Sequence, residues 1–315
     1  MEKTSLFVMC GLQCSGKSTK ALELAETFEA TVLSSDKIRE QYPSAKNDTV
    51  FRLLYERMND LLGKGINVIV DATNTTIKAR KQIFENLKVE CDKICIIMNT
   101  PYKDCIKRLK KRNKSDYPHK FGPEIIKRYY YSFEIPFYEE GWDGIFIENH
   151  TRYKDSVKFS SKLLKKAKKF DQKNKHHTQN LGDHMDSVGL KLSNHFGSDG
   201  KYINLVSAGY YHDVGKLFTQ IFKDGDPNAH YYNHANVGAY ELLCSVGAFA
   251  VFSNEFGDVI FEYDTDATLE WLFYINYHMH MFNITTKKAE NKWRGIFGDL
   301  KFCYLRAFNE FDKAR

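Results

Sequence analysis

The sequence predicts an α/β domain on a parallel sheet over about the first 150 residues, followed by an all-α domain to residue 315. Three observations carry this expectation. Short apolar runs alternate with helical periodicity as far as Asn149, as strands buried on both faces require. From His176 onward no strand series is legible, and only helical spacing remains. A chain of 315 residues with 43% hydrophobic and 14% aromatic content is also longer than one compact core usually accommodates, so two domains are expected.

In chain order, SLFVMC (Ser5 to Cys10) reads as the first strand and Lys17 to Phe28 as a helix. Ala30 to Asp36, Asn67 to Asn74, Lys93 to Asn99 and Gly144 to Asn149 read as four further strands, with helical stretches between them. Residues 151–171 are dense in lysine, with KLLKKAKKF at Lys162 to Phe170, and are expected to form a basic linker. The domains are therefore placed at 1–150 and 172–315. In the second, HANVGAYELLCSVGAF and ATLEWLFYINYHM carry helical spacing.

The net charge of +6 favours anionic partners. Seven cysteines without a C-x-x-C pair exclude the usual structural zinc patterns and fit a reduced, cytoplasmic protein. The apolar run Leu6 to Cys10 is far too short to span a membrane, so no membrane association is expected.

The stretch GLQCSGKST, Gly11 to Thr19, follows the first strand directly. Its spacing G-x-x-x-x-G-K-S lets backbone N–H groups wrap a phosphate chain at a helix N-terminus. Gly11, Ser15, Gly16, Lys17, Ser18 and Thr19 are the expected nucleotide-binding residues. Lys17 is a point charge for the β- and γ-phosphates, and the Ser18 hydroxyl is a ligand for Mg²⁺. Asp71, after an apolar strand, is a carboxylate placed to order that Mg²⁺ or its water.

Strand ends converge on the ligand crevice, which draws attention to SSDKIRE and VDATNTTIKARK. Asp36 is a candidate to accept a hydroxyl proton from a phosphate acceptor, and Arg39 to hold the acceptor's own phosphate by a forked contact. The same residues fit an N-cap with a solvated arginine. Thr73, Asn74 and Arg80 are candidate acceptor contacts, although Thr73 and Asn74 also fit a helix cap. CIKRLKKRNKS is a basic helix that fits either a solvated face or a lid carrying an arginine toward the phosphoryl group.

In this order and spacing, GLQCSGKST, SSDKIR, VDATNTTIKARK and LKKRNK resemble the kinase module of polynucleotide kinase–phosphatases. The resemblance covers about the first 150 residues and implies a P-loop kinase domain. It implies ATP or another nucleoside triphosphate with Mg²⁺ as donor, and a 5′-OH end of RNA or DNA as acceptor. Lys17 and Ser18 then hold phosphates and metal, Asp36 is the general base, Arg39 an acceptor ligand and Arg112 the lid arginine. Four residues on, where that family often carries a second arginine, stands Asp116, leaving Lys114 or Arg108 to substitute.

The second half holds HHTQNLGDHMDSV, YYHDVGK, YYNHANVGAYELL and INYHMH. Imidazoles and carboxylates are the common ligands of Mn, Ni, Co, Fe and Zn. The adjacent pair His212 and Asp213, with Gly215 able to end a helix, can direct both side chains at one ion. HMDSV, HDVGK and a late aspartate resemble the HD phosphohydrolase superfamily over roughly residues 172 to 315. That resemblance implies His184, His212, Asp213 and Asp312 as ligands, with His234 and His278 or His280 where two-metal members place more. One or two transition-metal ions are thus expected, with Asp213 catalytic as the bridge. His177 fits a substrate contact or merely the entry to its helix.

Together these readings point to a bifunctional RNA or DNA end-healing enzyme, which would need a separate nucleic acid ligase. Two rivals stand beside it: a nucleoside or nucleotide salvage kinase fused to a nucleotidase, and a nucleotide-gated RNA-binding regulator with a degenerate HD site.

Overall fold

The computed structural model describes residues 3–115, 120–148, 153–173, 179–197, 200–245, 250–253, 259–262 and 264–313. The chain divides into two compact units. One comprises Met1–Tyr129 and Glu140–Asn149, the other Tyr130–Glu139 and His150–Arg315.

The first unit runs β1 (Ser5–Cys10), α1 (Lys17–Thr27), β2 (Thr31–Ser34), α2 (Ser35–Gln41), α3 (Asn47–Gly63), β3 (Val68–Asp71), α4 (Ile77–Asn86), β4 (Asp92–Met98), α5 (Tyr102–Lys114), α6 (Pro123–Tyr131, whose last two residues fall in the second unit) and β5 (Gly144–Glu148). The strands pair in parallel in the order β2-β3-β1-β4-β5. β1 is central and fully apolar from Leu6 to Cys10, and all four residues of β3 are buried, as a sheet covered on both faces requires. The chain returns to opposite sides of β1, which opens a crevice at the carboxyl ends of the strands. The expected second strand ends early, and Ser35 starts α2, so Asp36 lies in the first turn of a helix.

The second unit contains α7 (Tyr153–Ala167), α8 (Leu181–Phe196), α9 (Ile203–Gly209), α10 (Lys216–Thr219), β6 (Ile221–Phe222), β7 (Ala229–His230), α11 (His234–Ser245), β8 (Ala250–Ser253), β9 (Val259–Glu262), α12 (Thr265–Tyr277), α13 (Lys287–Phe297) and α14 (Asp299–Lys313). It is mainly helical, but two short antiparallel ribbons, β6–β7 and β8–β9, depart from the all-α expectation. Two residues per strand in the first ribbon give no alternation long enough to read from sequence.

Two expectations about organisation meet a different arrangement. The 151–171 stretch holds a helix whose Leu163 and Ala167 are buried. Its lysines 162, 165, 166 and 169 stay exposed, while Lys168 bridges Asp183 at 2.7 Å and Asp186 at 2.5 Å. Residues Tyr130–Glu139, expected in the first domain, belong to the second unit. Phe133 and Phe137 are buried there, Ile135 N donates to Asn276 Oδ1 at 2.7 Å, and Tyr277 Oη donates to Ile135 O at 2.8 Å. Among the described residues no helix is long and apolar enough to cross a membrane.

Candidate functional site

The first site forms where β1 and β3 end. Gly16 closes the glycine-rich loop at φ +103°, a left-handed conformation that side chains resist, and α1 starts at Lys17. Gly11 N donates to Thr73 O at 3.0 Å, tying the loop to the segment after β3. Lys17 is buried and turns back on the loop, donating to Gly11 O at 3.0 Å and Leu12 O at 2.6 Å. Burial pushes its pKa below the usual 10.5, opposed by the nearby Asp71 charge. Ser18 Oγ donates to Asp71 Oδ2 at 2.7 Å, so the hydroxyl and carboxylate expected around Mg²⁺ are already paired. Ser15 is buried, whereas Thr19 faces outward.

Asp36 and Arg39 share one face of α2. Arg39 Nη1 donates to Asp36 Oδ1 at 3.2 Å and Nη2 to Asn47 Oδ1 at 2.8 Å, with both side chains exposed. Asp36 is not the cap of this helix, which is Ser34.

Two acceptor candidates are corrected. Arg80 is entirely buried and bidentate to Glu140, Nε to Oε2 and Nη2 to Oε1 both at 2.6 Å, so it faces no acceptor. Its Nη1 donates to Asn74 O at 3.2 Å. Asn74 is buried at φ +46°, and its Nδ2 donates to Met9 O at 2.8 Å. Both residues hold the loop after β3 against the end of β1. The cap of α4 is Thr76, accepting from Ala79 N at 3.2 Å, rather than Thr73 or Asn74. Thr73 alone of the three remains partly exposed.

On α5, Arg112 lies over the Phe121 ring, 5.3 Å from its centroid. Arg108, one turn earlier, reaches the glycine-rich loop, with Nη1 donating to Ser15 O at 2.9 Å and Cys14 O at 3.3 Å. Of these two arginines, Arg108 is the one that reaches the phosphate cradle. Asp116 and His177 lie outside the described residues.

The second site gathers four histidines and two aspartates from distant helix ends: His184 of α8, His212 and Asp213 in the turns between α9 and α10, His234 at the start of α11, His278 just past α12, and Asp312 of α14. Close approaches of backbone make this possible. A Cβ on Gly215 would lie 1.9 Å from His234 O, and one on Gly209 would lie 2.8 Å from Gly189 Cα. Gly215 has φ −62°, so it serves by lacking a side chain rather than by breaking the helix. It brings Asp213 to His234, as the Gly189–Gly209 contact brings His184 to His212.

The orientation of the imidazoles is fixed from behind. Nδ1 of His212, His234 and His278 lies 2.9, 2.8 and 2.8 Å from the carbonyls of Gly209, Tyr231 and Ile275. A carbonyl only accepts, so each Nδ1 carries a proton and each Nε2 points into the cluster. All three Nε2 atoms are buried without a hydrogen-bond partner. Asp213 stands between two ligand groups. Its Oδ2 is 3.4 Å from Nε2 of both His184 and His212, while Oδ1 is 2.9 Å from His234 Nε2 and 3.7 Å from His278 Nε2. The 2.9 Å approach lacks hydrogen-bond geometry, as donor atoms converging on a common point would. Asp312 Oδ1 completes the first group, 3.0 Å from His184 and 3.4 Å from His212.

The electrostatics agree with a cation site. Burial lowers the His212 pKa, but the Asp213 and Asp312 carboxylates outweigh it and raise the imidazole from 6.5 to about 10. Both carboxyls are held well below the usual range, against burial, by Lys216 and His212 for Asp213 and by His212 and His184 for Asp312. A proton thus takes the place that an ion would fill. Donors of this kind, nitrogen and oxygen without sulfur, suit Mn, Fe, Co, Ni or Zn. Sequence reasoning missed Lys216, although its motif was in view. It is buried, 2.6 Å from Asp213 Oδ2, and donates to Gln172 Oε1 at 2.9 Å. His280, the alternative to His278, lies against Trp293 instead.

A family model described as an AAA domain matches residues 6–136. Among solved structures, the chain is similar to one in the Pnkp1/Rnl/Hen1 RNA repair complex, at 23% identity and TM-score 0.37, covering 41% of this chain and 43% of that one. It is similar to a fungal RNA kinase at 18% identity and TM-score 0.37, covering 48% and 78%. It is also similar to the APS kinase CysC of Mycobacterium tuberculosis at 20% identity and TM-score 0.35, covering 47% and 91%. The chain thus spans less than half of the RNA repair chain it matches. No curated protein matches it. The glycine-rich loop, the parallel sheet and the family match agree on a P-loop fold for the first unit.

Proposed function

We propose that the chain is a bifunctional nucleic-acid end-healing enzyme. The first unit phosphorylates a 5′-OH polynucleotide end from ATP, and the second is an HD-type phosphohydrolase that removes a 3′-phosphate or 2′,3′-cyclic phosphate. One observation carries the reading: a P-loop with its Ser18–Asp71 pair and a buried four-histidine, two-aspartate cluster share one chain. A broken strand with a 5′-OH and a blocked 3′ end needs both chemistries before a separate ligase can join it.

In the kinase unit, Asp36 takes the proton of the acceptor hydroxyl, and the forked guanidinium of Arg39 orients that carboxylate and reaches the acceptor phosphate. Lys17 leaves the carbonyls of Gly11 and Leu12 for the β- and γ-phosphates of ATP. Arg108, with Arg112 one turn on, stabilises charge on the transferred phosphoryl oxygens. Magnesium, held by Ser18 with Asp71 behind it, would neutralise the phosphate oxygens when bound.

In the second unit, His184, His212, Asp213 and Asp312 would hold one transition-metal ion, and Asp213, His234 and His278 another. Such ions supply an acidified water and a clamp on the phosphate. The chain's own part is orientation. Three backbone carbonyls set the imidazole tautomers, Asp213 offers one oxygen to each group, and Lys216 pins that carboxylate. The full set of six ligands speaks against a degenerate site.

The test compares acceptors and leaving groups. A 5′-OH oligonucleotide and a 3′-phosphate oligonucleotide should outperform free nucleosides and nucleotides in the two reactions. Equal or better turnover of the free compounds would assign the chain to salvage instead.

A further inference from the structure

The ribbon that leads into His234 has no part in the chemistry above. β6 and β7 pair with Ile221 opposite His230 and Phe222 opposite Ala229. Ile221 and His230 stand directly opposite each other and so share a face of the ribbon, and Lys223 and Tyr232, each just past the end of its strand, pack beside them. On that face the His230 and Tyr232 rings lie 5° from parallel with centroids 5.6 Å apart, and Lys223 Nζ stands 5.1 Å from the Tyr232 centroid. Asp226 Oδ2, 2.8 Å from His230 Nε2, steadies the stack. Tyr232 is 49% exposed and Ile221 45%.

The intervening residue points the other way. Tyr231 Oη donates to Gln172 O and accepts from Gln220 Nε2 at 2.8 Å. The Tyr231 ring lies 5.6 Å from Lys216 Nζ, and its carbonyl is the one that orients His234. A single residue therefore joins the outward aromatic face to the histidine–aspartate cluster.

We propose that this face is a base-stacking platform for the 3′-terminal nucleotides of a single-stranded polynucleotide whose end is presented to the cluster; the proposal rests on the phosphohydrolase reading. Every base has a π-face, so the Tyr232–His230 stack accepts any sequence, and Lys223 meets the backbone phosphate. The Lys223 charge beside the exposed Tyr232 ring, with the half-buried His230 behind it, matches a nucleic acid strand.

The experiment titrates the full chain into single-stranded RNA carrying 2-aminopurine at its 3′-terminal position, and reads fluorescence quenching and affinity. The wild-type chain should quench the probe. Tyr232→Ala should lose the quench and bind about tenfold more weakly, Tyr232→Trp should restore both, and Lys223→Ala should flatten the salt dependence by about one phosphate contact. Kinetically, Tyr232→Ala should raise KM for a 3′-phosphate oligonucleotide and leave kcat in place. An unquenched probe, or equal quenching and affinity in wild type and Tyr232→Ala, overturns the platform. Normal quenching lost in Tyr232→Ala, with no 3′-phosphate released by the wild type, supports the platform and overturns the phosphohydrolase reading instead.

Discussion

The two candidate sites of this chain are built in opposite ways. In the P-loop site the cations are spent on the loop itself: Lys17 and Arg108 bond the carbonyls of Gly11, Leu12, Cys14 and Ser15. A nucleotide must replace those contacts, so binding and rearrangement go together. In the histidine–aspartate cluster the ligand atoms already converge, with three buried Nε2 atoms unpartnered and their Nδ1 groups fixed on backbone. On the proposed reading the first site would be assembled by its ligand, whereas the second would give up only a proton to receive an ion.

The largest expected effect sets the sites apart. Asp213→Ala removes the oxygen donor common to both ligand groups, so elemental analysis should fall from two transition-metal ions per chain to none, with 3′-end hydrolysis at background. The 5′-kinase rate should be unchanged, and a comparable loss there would break the comparison. Lys17→Ala should cut the kinase rate about a thousandfold, by analogy with removing a fixed electrostatic partner of the transition state, and leave the metal content intact. Next comes Arg80→Ala, which strands Glu140 as a buried charge. Denaturant unfolding should show the first unit weakened by about 3–5 kcal/mol, an effect that an acceptor-binding arginine at the surface would not produce.

The smallest effect is the pH dependence. In the metal-free chain His212 is raised from 6.5 to about 10. Its proton therefore contributes stability that is fully present below 6.5 and lost as the pH climbs through 10. Thermal unfolding of chelated protein should weaken across that window. Mn²⁺-loaded protein should hold steady or strengthen and release protons on loading, because the ion binds neutral imidazole. Metal binding without proton release would contradict the geometry of the cluster.

Legibility followed the distance along the chain over which each feature is built. The P-loop is contiguous, and Gly11 to Thr19 could be read directly because wrapping a phosphate dictates the spacing. The parallel strands were equally plain, since burial on both faces leaves unbroken apolar runs such as Leu6 to Cys10. The cluster residues span His184 to Asp312, and their coming together was legible only as a set, through the histidine–aspartate doublet. Arg80 and Asn74 were misjudged because a strand-end loop looks the same whether its polar groups face ligand or core. Glu140, the partner that decides the matter, stands 60 positions away. Lys216 and the β6–β7 ribbon escaped because neither a buried lysine nor a two-residue strand has a periodic signature.

The most direct test uses one RNA carrying a 5′-OH and a 2′,3′-cyclic phosphate, incubated with ATP, Mg²⁺ and Mn²⁺ and followed at both ends. Wild-type protein should add a 5′-phosphate and clear the 3′ block, Lys17→Ala should do only the second, and Asp213→Ala only the first. Ends left unchanged by wild-type protein, or both activities lost together in either variant, would contradict two separable phosphate sites in one chain.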